Sequence, residues 1–134
     1  MDGDVLAPVR AFLAQAAARL QVLGVAHERI VLDPGVGFGK TVAQNFSLLA
    51  RQPELRELGF PLLAGWSRKS SLGAVSTVDG VVPAPDQRLG ASVAAAVLAV
   101  DRGASVVRVH DVRETVQALR VWQAMRAEMP AHPV

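Results

Sequence analysis

The sequence predicts an α/β fold built on a parallel sheet, and three observations predict it. Segments with helical and strand-like apolar spacing alternate along the 134 residues in the order αβαβαβα. The strand-like runs are short and apolar almost throughout, the pattern of strands covered on both faces. No linker or low-complexity block separates them, so the alternation implies right-handed crossovers within one sheet.

Each element has its own warrant. Residues 5–23 place Leu6, Val9, Leu13, Ala16 and Leu20 three and four apart, one face of a helix, and Gly24 is its stop signal. Residues 29–32 form a β-branched run that breaks at Asp33-Pro34-Gly35, a strand followed by a turn. Residues 41–51 return to helical spacing with Phe46 and Leu49 inward and Thr41 as cap. Residues 60–64 are a second strand ending at Gly65, and residues 71–85 a loop rich in Gly, Ser and Pro. An Ala/Val-rich helix at 88–101 stops at Gly103, and a third strand occupies 105–109. The last helix, 112–129, turns Val116, Leu119 and Val121 inward, and 130–134 is tail.

Three parallel strands behind a leading helix leave two open edges. A (β/α)8 barrel takes ~250 residues, so residues 1–134 read as one partial domain, about half of such a barrel. A self-sufficient three-layer α/β domain is the alternative.

Composition narrows the function classes. With 51% apolar and 19% charged residues the chain is no disordered tail. Without cysteine it has neither a disulfide framework nor a thiolate site. A net charge of +2, 4% aromatics and no tyrosine argue against a nucleic-acid partner. The apolar run at 91–100 falls short of the ~20 residues a membrane span needs. The acidic start, Met1-Asp2-Gly3-Asp4, lacks the basic flank of a signal peptide. The expectation is a cytoplasmic protein without a membrane partner.

In parallel α/β folds the chemistry gathers where strands end, and all three ends here are unusual. The first is Asp33-Pro34-Gly35-Val36-Gly37-Phe38-Gly39-Lys40-Thr41, the second Gly65-Trp66-Ser67-Arg68-Lys69-Ser70, the third Arg108-Val109-His110-Asp111. The first is not a Walker A loop, because Pro34 stands where a glycine belongs. Nor is it a dinucleotide fingerprint, which from Gly35 meets Lys40 at its third glycine. Asp33 would repel phosphate but suits a ring edge with two adjacent N–H donors; the alternative is a helix cap or turn-former. Phe38 offers an apolar wall. Lys69 and Ser67 are a cation and a hydroxyl for a ligand, or parts of a solvated turn. Arg108 and His110, two apart, share one strand face, where they meet a ligand or pair with Asp33 or Asp111. Trp66 and Trp122 read as packing residues.

Taken together, Leu32-Asp33-Pro34-Gly35-x-Gly37-Phe38-Gly39-Lys40 with Asn45 downstream, Gly65-x-Ser67-Arg68-Lys69-Ser70, and Arg108-Val109-His110-Asp111-Val112 resemble the dihydropteroate synthase family. Order and spacing agree from about Glu28 to Met125. The resemblance implies the C-terminal portion of a TIM (β/α)8 barrel with parallel strands, about three β/α units plus a preceding helix. It implies condensation of 6-hydroxymethyl-7,8-dihydropterin diphosphate with p-aminobenzoate, with sulfonamides as mimics of the latter. By the same resemblance Asp33 holds the pterin, and Lys69 touches both substrates. Phe38, Gly65 and Ser67 belong to the p-aminobenzoate pocket; Arg108 stacks on the pterin and, with His110, binds the diphosphate. Lys69, Arg108 and His110 form the catalytic group.

The family's first half, with the asparagine that binds Mg²⁺, has no counterpart here, and Val36 replaces a common phenylalanine. The expectations that follow are a metal ligand outside this chain, an isolated chain that is inert or nearly so, and a homodimer formed by the full-length enzyme through its last helices. Two competing readings are a pterin-dependent methyltransferase on the same barrel and a non-catalytic half-barrel that pairs with a second copy.

Overall fold

A computed structural model describes residues 3–131. Met1, Asp2 and residues 132–134, which include part of the predicted tail, lie outside the described residues. The order is α1 (Leu6–Val22), α2 (Val42–Ala50), α3 (Gln52–Arg56), β1 (Leu63–Ala64), α4 (Ser70–Val75), α5 (Leu89–Asp101), β2 (Val106–Val107) and α6 (Val112–Ala127), with single 3-10 turns at His27–Arg29 and Pro85–Gln87.

The sheet is parallel, as the alternation predicts. β1 pairs with β2 in the register Leu63↔Val106 and Ala64↔Val107. A parallel bridge between Leu32 and Leu62 adds the predicted first strand on the other side. That strand is shorter than expected: a 3-10 turn takes up its start, and its ladder is limited to Leu32 N–H to Pro61 O (2.9 Å) and Leu63 N–H to Leu32 O (2.8 Å).

One sheet face carries the core and the other does not. Ile30, Leu32, Leu62 and Ala64 turn toward the helices and are buried. Leu6, Leu13 and Ala17 of α1 pack on one end of this face with Leu48 and Leu55. Val36, Leu49, Trp66, Leu72, Ala95 and Ala99 fill the other. The small residues of α5 let it lie close to the sheet. On the opposite, concave face Val31 is 48% exposed and Val106 44%. The expectation of strands covered on both faces is corrected accordingly: a three-segment sheet does not curve far enough to cover its own inner face.

Local chemistry explains the helix ends. Thr41 caps α2 in a full capping box: its Oγ1 accepts from Gln44 N–H at 3.1 Å, and Gln44 Oε1 accepts from Thr41 N–H at 2.9 Å. At α1 the Asp4 carboxylate accepts Leu6 N–H (3.0 Å) and pairs with Arg51 (2.8 Å), which also holds Glu54 (2.8 Å). Leu20, Val116 and Val121, expected inward, are exposed; Ala17 and Thr115 take the buried positions. α3 and α4 depart from the expectation of one helix ending at Arg51 and a loop over 71–85. Pro53 starts a new helix after Arg51, and the Ser/Gly composition of residues 70–75 suggests a loop although Ser71, Leu72 and Gly73 are buried.

Candidate active site

The concave face ends in the three polar segments, and the alternation of the strands decides what reaches it. Val106, Arg108 and His110 share the exposed register of the third strand, with Val107 and Val109 turned the other way. At the tip of β1 the chain passes through Gly65 and the buried Trp66 to Ser67. Ser67 ties two strand tips together: its Oγ lies 2.8 Å from His110 Nδ1 and accepts the His110 backbone N–H at 3.2 Å. With the Ser67 hydroxyl donating a hydrogen bond to Nδ1, the ring is left with Nε2 as its free edge.

Arg108 lies across Gly65 so closely that a Cβ there would collide with its guanidinium. Its Nη1 reaches Asp33 Oδ2 at 3.4 Å. The side chains are 57% and 39% exposed, so this is a long, solvated ion pair that a ligand opens at little cost. The other Asp33 oxygen accepts Gly35 N–H at 2.8 Å, the turn-forming role foreseen for it.

Lys69 runs back over the glycine-rich loop. Its Nζ sits 4.3 Å from the centroid of the Phe38 ring, a cation–π contact. Its stem covers Gly37, where a Cβ would stand 3.1 Å from Lys69 Cδ and the backbone φ is +86°. Glycine is required there twice over, for space and for the left-handed backbone. The loop is braced from below by Lys40, whose Nζ donates to Gly35 O (2.7 Å) and Phe38 O (3.1 Å). Desolvation lowers the Lys40 pKa, against the opposing charge of Asp33.

Five of the predicted residues, Gly65, Ser67, Lys69, Arg108 and His110, line one cleft of about 190 Å³ with Val109. Asp33 and Phe38 do not line it. They border a neighbouring hollow of about 350 Å³ with Pro34, Gly35, Lys40 and Pro8, Val9, Phe12 and Leu13 of α1. The Asp33–Arg108 and Phe38–Lys69 contacts link the two linings. An ammonium, a guanidinium and an imidazole around one cleft make a receptor for oxyanions, and the carboxylate beside it one for N–H donors.

Asn45 has a larger part than its place downstream of the glycine loop suggests. It is 1% exposed, accepts Gly37 N–H at 3.0 Å and donates to Ser71 Oγ at 2.9 Å, joining the glycine loop to α4. The signal was a polar residue on the apolar face of α2, beside Phe46 and Leu49. Among the described residues no group of three His, Asp or Glu side chains is placed to hold a metal ion. Asp33 and Asp111 stand apart, each beside an arginine, and two scattered carboxylates do not make a Mg²⁺ site. No helix among them is long and apolar enough to cross a membrane.

A partial parallel barrel with polar strand tips around an oxyanion cleft defines a class, and the comparisons agree. Residues 1–110 match the family described as pterin binding enzyme, and the chain belongs to that family. Dihydropteroate synthases are among its relatives. The Escherichia coli (strain K12) enzyme is 46% identical over 121 residues, 90% of this chain and 41% of that enzyme. Dihydropteroate synthase from Stenotrophomonas maltophilia, solved with imidazole bound in its active site, superposes with a TM-score of 0.90 at 48% identity, over 97% of this chain and 48% of that one. The Xanthomonas albilineans enzyme in complex with 7,8-dihydropteroate superposes at 0.87 and 45% identity, over 97% and 48%. The chain thus has the fold of part of a TIM barrel and spans about two fifths of the length of the curated relative.

Proposed function

We propose that this chain supplies pterin, p-aminobenzoate and diphosphate contacts to a dihydropteroate synthase site. In that reaction the methylene–oxygen bond of 6-hydroxymethyl-7,8-dihydropterin diphosphate breaks, and its electron pair leaves with pyrophosphate. The amine nitrogen of p-aminobenzoate bonds to the methylene carbon and loses a proton, giving dihydropteroate.

The observation that carries the reading is the cleft between Ser67, Lys69, Arg108 and His110, with Asp33 3.4 Å from Arg108. Arg108 and His110 stabilise the charge that develops on the leaving diphosphate. Asp33 accepts from the N–H edge of the pterin and favours the positive charge spreading into that ring. Arg108 leaves Asp33 to stack on the pterin once the ring enters. Phe38 and Ser67 border the p-aminobenzoate position, with Lys69 between the two substrates; Gly65 keeps room for Arg108. Sulfonamides compete at the same place.

The chain spans 41% of the length of the Escherichia coli relative, and both hollows stand open on the concave side. The remaining walls, and the ligand for Mg²⁺, come from residues beyond this chain. The chain alone is therefore inert, and in the full-length enzyme the last helices are the dimer contact.

The test is a chimera in which this chain replaces the matching 121 residues of the Escherichia coli relative. Dihydropteroate formation is expected from the chimera and not from the chain alone. Lys69→Ala or Arg108→Ala in the chimera lowers kcat by about a hundredfold. Robust turnover by the chain alone, or a folded chimera without activity, overturns the reading.

A further inference from the structure

We propose that Arg88 and Ser92 are positioning residues that hold Arg68 in a left-handed conformation and thereby aim its neighbours, Ser67 and Lys69, into the cleft. Arg68 has φ +59°, uncommon for a residue with a side chain and costing about 1 kcal/mol or more. It is the third residue of a turn closed by Lys69 N–H to Trp66 O at 3.1 Å, a position where positive φ normally selects glycine. Something outside the turn must hold it.

Both backbone groups of Arg68 are taken by side chains from the start of α5. Its N–H donates to Ser92 Oγ at 3.0 Å, and its carbonyl accepts from Arg88 Nη1 at 2.8 Å. Ser92 is buried, and Arg88 is itself anchored by Nε to Pro83 O at 2.9 Å. Gly73 of α4 leaves the slot for this guanidinium, since a Cβ there would stand 2.7 Å from it. The Arg68 side chain does not explain the conformation. Its Nε is buried without a partner, and its Nη2 stands 3.5 Å from Asp111 Oδ1. The clamp acts on the backbone.

That Ser67 and Lys69 face substrate rests on the function proposed above; the clamp is measured without substrate. Amide exchange in the full chain has two reporters, Lys69 N–H on Trp66 O and His110 N–H on Ser67 Oγ, and a remote control, Leu32 N–H on Pro61 O. Ser92→Ala is expected to speed exchange at both reporters by about tenfold, the loss of one hydrogen bond, with Leu32 unchanged. Adding Arg68→Gly restores slow exchange, because glycine keeps the positive φ unaided. A role in general packing would give no such rescue. Unchanged reporters, equal acceleration at Leu32, or failure of Arg68→Gly to rescue each overturns the clamp. Arg88→Ala is expected to act likewise; should it not fold, Ser92→Ala, which removes one oxygen, carries the test. If the reporters respond as expected while the chimera described above folds without activity, the clamp stands and the substrate reading falls.

Discussion

At the scale of single residues, the site combines contacts of very different worth. Asp33→Asn keeps an oxygen for Gly35 N–H and removes only the exposed ion pair with Arg108. It is expected to cost under about 1 kcal/mol of stability in a denaturant titration. Asn45→Ala is the opposite case. It leaves the buried Ser71 and the part-buried Gly37 N–H without their partner, and a loss of about 2 kcal/mol is expected. A cost no larger than that of Asp33→Asn would show that the link between the glycine loop and α4 is not held by Asn45.

At the scale of elements, helix ends are the testable parts. Thr41→Ala breaks the capping box of α2 and is expected to cost about 1 kcal/mol, read by thermal melting. The Asp4–Arg51–Glu54 cluster ties the start of α1 to α3 and makes stability depend on pH. The Leu6 backbone N–H, then Arg51, holds the Asp4 carboxyl below its ordinary value; the Arg51 hydrogen bond does the same for Glu54. Groups with depressed folded pKa stabilise above the ordinary carboxylate range of about 4 and lose that contribution as pH falls through their folded values. Arg51→Met is therefore expected to flatten the fall of the melting temperature in acid. Parallel curves for both proteins would show that the cluster contributes nothing.

The same scale shows what could be read from the sequence. Thr41, Gly24 and Gly103 mark helix ends by local chemistry, and they stand where expected. Leu20 and Val121 are exposed against expectation, since spacing gives a helix face without saying how far the neighbouring layer extends. α4 was missed because serine and glycine read as loop. Gly73 is there to admit Arg88, a tertiary reason with no local trace. The strand tips were legible because polar residues after apolar runs stand out. The division of Asp33 and Phe38 from the other site residues was not, since it depends on the path of a glycine-rich loop.

At the scale of the whole molecule, the open inner face dominates. The sheet ends at Leu32 on one side and β2 on the other, with Val31 and Val106 exposed between the strand tips and solvent. Open edges beside an apolar face favour pairing with another copy. Sedimentation is expected to show concentration-dependent association of the isolated chain that Val106→Lys weakens. A monomer at all concentrations would mean that the inner face is tolerated in water as it stands.

Lys69 links the two hollows beside the glycine-rich loop. Phe38 and Lys40 border one basin, while the Lys69 stem that rests on Gly37 borders the other. A guest that displaces Phe38 in one basin is therefore expected to shift the Lys69 ammonium in the other, even if no second guest is near.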